Sequence, residues 1–511
     1  MISVARLRRA TRRETVGVDV GAALNLVGAL VKYLSLTFLL PLAVALGYGE
    51  SPWPFAAAAV CSFGTGFAVE RATRGKEQVG AREGFLVVSL TWLVTAALGA
   101  IPYLLSGNDE LSSPLDAYFE AMSGFTTTGS SVVTDFEGLT HSLALWRQFS
   151  QWLGGMGIIV LALAVLPRLR VGGRQLFESE VPGPETERLT ASIRETARRL
   201  WLLYFGLTVT LIAILTALGL TGLDERMDLY EAAAHAFATM PTGGFSTQGR
   251  SIEAFGAATQ WTLSLFMLLA GMNFALLFAA LVQRRTRPLL RDQELRLYLA
   301  LLGVATLVLA LELAGEGLYA GEQAIRHAVF QTVSTMTTTG FASADFTTWT
   351  TLTAVILVGL MFIGGSAGST AGSVKVVRHL LIGKVLRREL DQSVHPEIVS
   401  PIPLNGSVVQ ERTLRAVIAF VLLYVGLFAV GALLITLDEA LANSRVTAFE
   451  AVAASATTLG NVGPAFGFAG PMGSFEPFSD LSKAVMIVLM WLGRLEIIPV
   501  IVLFTKRYWR T

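Results

Sequence analysis

Four short runs stand out in the chain: Thr126, Thr127, Thr128, Gly129; Pro241, Thr242, Gly243, Gly244; Thr337, Thr338, Thr339, Gly340; and Gly460, Asn461, Val462, Gly463. None of these residues is ionised. What they can do chemically is hold a dehydrated alkali cation. Backbone carbonyls and threonine hydroxyls replace its water, and glycine allows the backbone angles that turn successive carbonyls toward one axis. A neutral cage also suits conduction, because a fixed carboxylate would hold the ion too tightly to release it. A lone Thr-Thr-Thr-Gly is equally at home in small-residue helix packing, so the weight lies on the four runs together.

They are in register. Each closes a fourteen-residue frame that opens on an acidic residue or His followed by Ala: Asp116 to Gly129 (DAYFEAMSGFTTTG), Glu231 to Gly244 (EAAAHAFATMPTGG), His327 to Gly340 (HAVFQTVSTMTTTG) and Glu450 to Gly463 (EAVAASATTLGNVG). Nine residues in, each carries an apolar side chain: Phe125, Met240, Met336 and Leu459. Such repetition is the architecture signal to read first. The first eight or nine residues of each frame suit a helix that reaches only about 13 Å, less than half of a bilayer. The chain must then turn back, and irregular backbone at membrane depth is tolerated only where protein or water surrounds it. Each frame therefore reads as a re-entrant pore loop, with the negative end of its short helix facing the ion.

Two further features carry charge or flexibility. The segment GGSAGSTAGSVK, residues 364 to 375, interrupts a helix that begins near Thr350. Its glycines, each costing about 1 kcal/mol relative to Ala, cannot sustain a continuous helix. Close small-residue packing is the plain alternative; a phosphate loop is not, since GxxxxGK[ST] is absent. Arg494, in WLGRLEI, is a charge inside an apolar span and so a functional candidate, or else a buried arginine that ties helix ends through carbonyls. Glu496 follows two residues on and points to a different face. Lys32, Arg147 and Lys483 lie near expected span ends and are read as snorkelling to the headgroups. Lys375 and Arg378 mark the cytoplasmic continuation of the broken helix.

The elements that must position these residues follow from composition. The chain has 511 residues, 53% hydrophobic and 15% charged, with a net charge of +1; soluble domains carry roughly 25% charged residues. The single Cys61 and five scattered histidines exclude a disulfide framework and a zinc pattern. The charge balance gives no sign of a nucleic-acid partner, and no region offers a triad, a paired-carboxylate cleft or a nucleotide fingerprint, so an enzyme reading has no residues to carry it. Ten apolar segments could cross a lipid bilayer: about 21 to 48, 53 to 70, 84 to 106, 141 to 166, 199 to 221, 258 to 283, 295 to 314, 350 to 377, 413 to 437 and 482 to 505.

Of the 39 Lys and Arg, 31 fall in the termini and alternate loops, including Arg6, Arg8, Arg9, Arg12 and Arg13 and the largest loop, 167 to 200, with its Pro182 to Pro184 turn. The opposite loops hold only Arg226, Arg250, Arg326 and Arg445, and about half of the carboxylates. The positive-inside rule then puts both termini in the cytoplasm, and the acidic outer face concentrates cations. The expected fold is all-α and membrane-embedded: an N-terminal helix pair (1–83) and four helix, pore loop, helix repeats (84–198, 199–294, 295–412 with its broken second helix, and 413–511) around one pseudo-fourfold pore.

This fourfold unit with one key glycine per loop, the additional N-terminal pair, and the phrases TLGNVGP (458 to 464) and GRLEIIP (493 to 499) resemble the Trk/Ktr/HKT superfamily of cation uptake proteins, closest to its bacterial TrkH branch. The resemblance runs from about residue 20 to the end. It implies a potassium-selective filter at Thr127, Thr128, Gly129, Thr242, Gly243, Gly244, Thr338, Thr339, Gly340, Asn461, Val462 and Gly463; members with serine in the first loop favour sodium, and this chain has Gly129. It further implies that Gly364, Gly365, Ser366, Gly368, Ser369, Thr370 and Gly372 form an intramembrane loop that obstructs the pore and moves on gating, with Arg494 beside it. Also implied are a homodimer in a prokaryotic plasma membrane, a cytosolic nucleotide-binding regulatory ring, and no cofactor beyond the transported K+.

Pro241 and Gly243 depart from the threonines of loops one and three, so a sodium-conducting or weakly selective channel of the same fold is the second reading. A secondary transporter with a midplane organic-substrate site is the third; it calls for inverted repeats, whereas all four loops here enter from the outer side.

Overall fold

The structure is a computed structural model that describes residues 18–75, 80–164, 189–398, 400–442 and 444–510. The arginine cluster before residue 18 and the Pro182 to Pro184 turn lie outside the described residues. The regular elements among these residues are helices apart from one two-stranded hairpin, Pro403–Leu404 with Ser407–Val408.

Helices α1 (Val20–Leu34) and α2 (Leu39–Tyr48) run on as one 29-residue apolar rod that packs against α3 (Trp53–Ala72). Four units follow. The first comprises α4 (Ala81–Gly99), α5 (Pro114–Phe125) and α6 (His141–Ala164). The second comprises α7 (Leu189–Leu220), α8 (Leu229–Thr239), α9 (Ala257–Ala270) and α10 (Phe274–Leu281). The third has α11 (Gln293–Gly315), α12 (Glu322–Met336), α13 (Thr351–Met361) and α14 (Val376–Val394). The fourth has α15 (Glu411–Leu441), α16 (Ala448–Gly460), α17 (Asp480–Arg494) and α18 (Ile498–Ile501).

In every unit the short helix packs on the long helices before and after it; it also packs on the second long helix of the preceding unit, α8 on α6, α12 on α9, α16 on α13 and, closing the circle, α5 on α17. The short helices start where local chemistry starts a helix. Pro114 opens α5 with its φ already set, Asp228 accepts a hydrogen bond from Glu231 N at 2.8 Å, and Thr447 with Glu450 forms a capping box. The long helices α7, α11 and α15 turn Val209, Leu307, Leu311, Leu422 and Leu433 outward, an apolar exterior that only lipid would cover.

Five described helices are long and apolar enough to cross a membrane, and two bent pairs raise this to seven. Three expected spans differ in kind. Helix α3 and the polar-faced α6 are helices of 20 and 24 residues, and the span through 350 to 377 is broken between Met361 and Val376, as its glycines required. Two spans expected to be continuous are also broken: α9 and α10 meet at 109°, and α17 and α18 at 111°. At the first break Asn273 caps α10 through Ala275 N and Leu276 N. At the second, Glu496 and Ile497 both take positive φ just ahead of Pro499.

Two of the three charges expected to snorkel, Arg147 and Lys483, are buried instead, and all three are paired. Arg147 is fully buried against Glu120, Lys483 bonds Asp116 at 2.7 Å, and Lys32 bonds Glu70 at 2.5 Å. Arg147 and Lys483 find their carboxylates within the helix packing, while the Lys32–Glu70 pair stays partly exposed.

Candidate ion-conduction site

The four short helices end identically. Thr128 N, Gly243 N, Thr339 N and Val462 N each bond the carbonyl five residues back, on Ser123, Ala238, Ser334 and Thr457, at 2.8 to 2.9 Å. This is the Schellman closure, and its left-handed position is usually glycine. Here it holds Thr127, Thr242, Thr338 and Asn461, with φ between 52° and 58°. For a β-branched residue that conformation costs on the order of 1–3 kcal/mol, the kind of strain that collects at functional sites.

Two residues on, Gly129, Gly244, Gly340 and Gly463 also take positive φ. They are packed in a ring. A Cβ on Gly129 would stand 2.2 Å from Gly243 O; on Gly244, 1.9 Å from Thr339 O; on Gly340, 2.1 Å from Val462 O; and on Gly463, 2.9 Å from Thr128 O. Each glycine thus meets the carbonyl of the next loop, and the fourth meets the first. All four line one cleft.

The side chains of the sequence-derived site sort by role. The Thr128 and Thr339 hydroxyls are engaged with Thr126 and Thr337, each at 2.8 Å. Asn461 Nδ2 donates to Thr128 Oγ1 and to Met490 O. The Thr127 hydroxyl is buried with no hydrogen-bond partner among the described residues, so it has a lone pair to offer an ion. Loop two differs for a reason the sequence did not reveal. Gln151 brackets it, donating from Nε2 to Gly243 O at 2.7 Å and accepting from Phe245 N at 3.2 Å. A Cβ at 243 would lie 2.4 Å from the Gln151 amide carbon, so glycine stands where loops one and three have threonine.

Directly against the ring lies the Gly/Ser-rich segment 364–375. Gly372 N donates to Thr338 Oγ1 at 2.6 Å, Thr370 Oγ1 donates to Met240 O at 3.0 Å, and a Cβ on Gly372 would lie 2.4 Å from Gly460 O. It therefore touches the ends of loops two, three and four. Ser366 N donates to Gly271 O at the break between α9 and α10. Arg494 donates to Thr370 O at 2.9 Å and to Gly154 O at 3.3 Å, tying the segment to α6; the carbonyl-tying alternative and the position beside the loop hold together. Glu496 pairs with Arg378, whose guanidinium lies over the Phe420 ring at 3.8 Å.

Residues 55–510 match the TrkH family, described as a cation transport protein. The chain belongs to the TrkH family. It is 38% identical over 494 residues to the Trk system potassium uptake protein TrkH of Halomonas elongata, covering 95% of this chain and 98% of that one. It is also 38% identical over 494 residues to the TrkH of Escherichia coli K12, with coverage of 96% and 99%. The crystal structure of the potassium transporter TrkH from Vibrio parahaemolyticus superposes with a TM-score of 0.85 at 35% identity, over 96% of this chain and all of that one. The TrkH fold is a multi-span, almost wholly helical membrane architecture, and the family is one of transport proteins, not enzymes. Among the described residues no group of three or more His, Cys, Asp or Glu could hold a metal.

Several residues of this TrkH-family site escaped the sequence reading. Glu294, at the start of α11, accepts from Ala367 N at 2.6 Å and Val377 N at 3.1 Å, tying the Gly/Ser-rich segment to the first turn of α14. Glu120 and Arg147 form a pair with no solvent exposure. Both are charges in apolar helices; the sequence placed Arg147 near a span end and so favoured the headgroups, and offered no partner for it. Outside the membrane spans, Glu50 accepts from His141 N at 2.7 Å and Ser142 N at 2.9 Å at the head of α6. Burial would raise its carboxyl, but the bonds from Ser142 and His141 outweigh that and hold it below the ordinary carboxylate range.

Proposed function

We propose that this chain takes up potassium through the four-loop ring, with Thr127, Thr128, Gly129, Thr242, Gly243, Gly244, Thr338, Thr339, Gly340, Asn461, Val462 and Gly463 as its filter and 364–372 as its gate. The observation that carries this reading is the closed circle in which each loop's glycine abuts the next loop's carbonyl. Such a ring presents backbone oxygen and no fixed charge to an ion, which suits a dehydrated alkali cation. Relatives of nearly the same length named as potassium uptake proteins support potassium as that cation. Loop two's departure, which had favoured a weakly selective channel, has its own cause in Gln151, and no observation favours sodium or an organic substrate.

The gate reading rests on the position of 364–372 against three loop ends and on Arg494, whose charge beside that segment opposes cation passage. The chain divides at the boundaries 83, 198, 294 and 412. It works as a multi-pass protein of the bacterial plasma membrane with both termini cytoplasmic, as a homodimer, and with a cytosolic nucleotide-binding ring; the Trk-system names of its relatives support that company.

Ion flux into liposomes carrying the purified protein tests the whole. K+ flux should exceed Na+ flux, and equal permeability sinks the potassium assignment. Deleting 366–372, or Arg494→Gln, should raise basal flux; unchanged flux in correctly inserted protein rejects the gate.

A further inference from the structure

Each short helix carries, four residues after the one that opens its frame, a side chain on the same helix face: Glu120, His235, Gln331 and Ala454. In three of the four units that side chain reaches the strand leaving the ring. Glu120 accepts from Ser131 Oγ at 3.0 Å and from Val132 N at 3.1 Å. His235 Nε2 meets Ser246 Oγ at 3.0 Å. Gln331 Oε1 accepts from Ser343 N at 3.3 Å. Ala454, buried and apolar, makes no such bond. The struts therefore grade from ionised through polar to absent round a ring that is otherwise repeated four times.

The first two struts are joined. Arg147 donates from Nε to Glu120 at 2.7 Å, from one terminal nitrogen to Ser131 Oγ at 3.1 Å and from the other to Ser246 O at 3.1 Å, and lies over the Phe245 ring at 4.2 Å. One guanidinium on α6 thus fixes the exits of loops one and two, two residues beyond Gly129 and Gly244. Arg147 and Glu120 are both fully buried. A pair so deep contributes little net stability compared with an apolar pair of the same shape; what it supplies is fixed geometry.

We infer that Glu120 and Arg147 are positioning residues which set the spacing of the first two loops at the outer end of the filter, and so its discrimination of K+ from smaller alkali cations. The inference rests on the filter reading above. Neither belongs to the filter runs; both act through the Ser131 hydroxyl and the backbone of Val132 and Ser246.

The test is the K+ to Na+ permeability ratio and the K+ concentration for half-maximal flux, measured separately from maximal flux in proteoliposomes. Glu120→Gln with Arg147→Gln removes both charges together and leaves no buried ion unpaired. The ratio should fall by about fivefold or more and half-saturation should rise, with thermal stability near that of wild type. Glu120→Asp keeps the ion pair, and so the fold, but shortens the strut by one methylene; its ratio should fall in the same direction. A wild-type ratio in either folded variant overturns the inference while leaving the filter reading intact. A wild type that does not discriminate K+ from Na+ overturns the filter reading and this one with it.

Discussion

Thr127 holds a left-handed backbone that glycine would adopt without strain, and its hydroxyl has no hydrogen-bond partner among the described residues. Thr127→Gly should therefore raise thermal stability by about 1 kcal/mol while weakening K+ uptake at low K+; a stabilised variant with unaltered half-saturation would show that the hydroxyl does not serve the ion. Gly129→Ser reverses the trade. Its Cβ would meet Gly243 O at 2.2 Å, so the ring must open, and K+-limited growth should fall while Na+ flux gains relative to K+. The glycines were legible from sequence because four frames aligned on them. Gln151 was not, because nothing in a helical Gln on α6 points to a loop 92 residues away. Glu120, His235 and Gln331 share one frame position that in the fourth repeat is Ala454, so the fourfold pattern is incomplete there and does not announce a common role.

Among elements, apolar length identified the spans but not their breaks. Hydropathy averages over a window, whereas a break is made by one cap or one proline. Asn273 after Gly271, and Pro499 after a pair of positive-φ residues, were the only local signs. The segment 364–375 was legible because its glycines are many. Its bond from Gly372 N to Thr338 Oγ1 yields an expectation at this scale: Thr338→Val keeps the shape, deletes the acceptor, and should raise basal flux less than deletion of 366–372 does, read in the same liposomes.

The outer end of α6 offers a pH dependence. Because Glu50 is held below its unfolded pKa of about 4.3, its stabilisation is complete above that pH and is lost as pH falls through the lower folded value. Glu50→Gln should therefore lower the melting temperature at pH 7, and the difference should close in strongly acidic buffer.

For the molecule as a whole, apolar segment length and the fourfold frame sufficed for the architecture, since both are sums over many residues and survive local error. An inside-negative potential supplies ~2.3 kcal/mol per charge per 100 mV, enough for about fifty-fold accumulation. Liposomes holding the 366–372 deletion and clamped at 100 mV should reach that K+ ratio without nucleotide; a plateau far above it would require another energy source.

The ring's four quarters belong to one polypeptide, and this frees them from having to match. Loop one carries an ion pair, loop two a glutamine bracket, loop three the bond to Gly372, and loop four the amide of Asn461 that grips its neighbour's hydroxyl. A channel assembled from four copies of one subunit would have to make any such change four times over. Here a single substitution can retune one corner of the proposed conduction path, so on that reading how the chain admits ions and how it shuts are separate inherited traits.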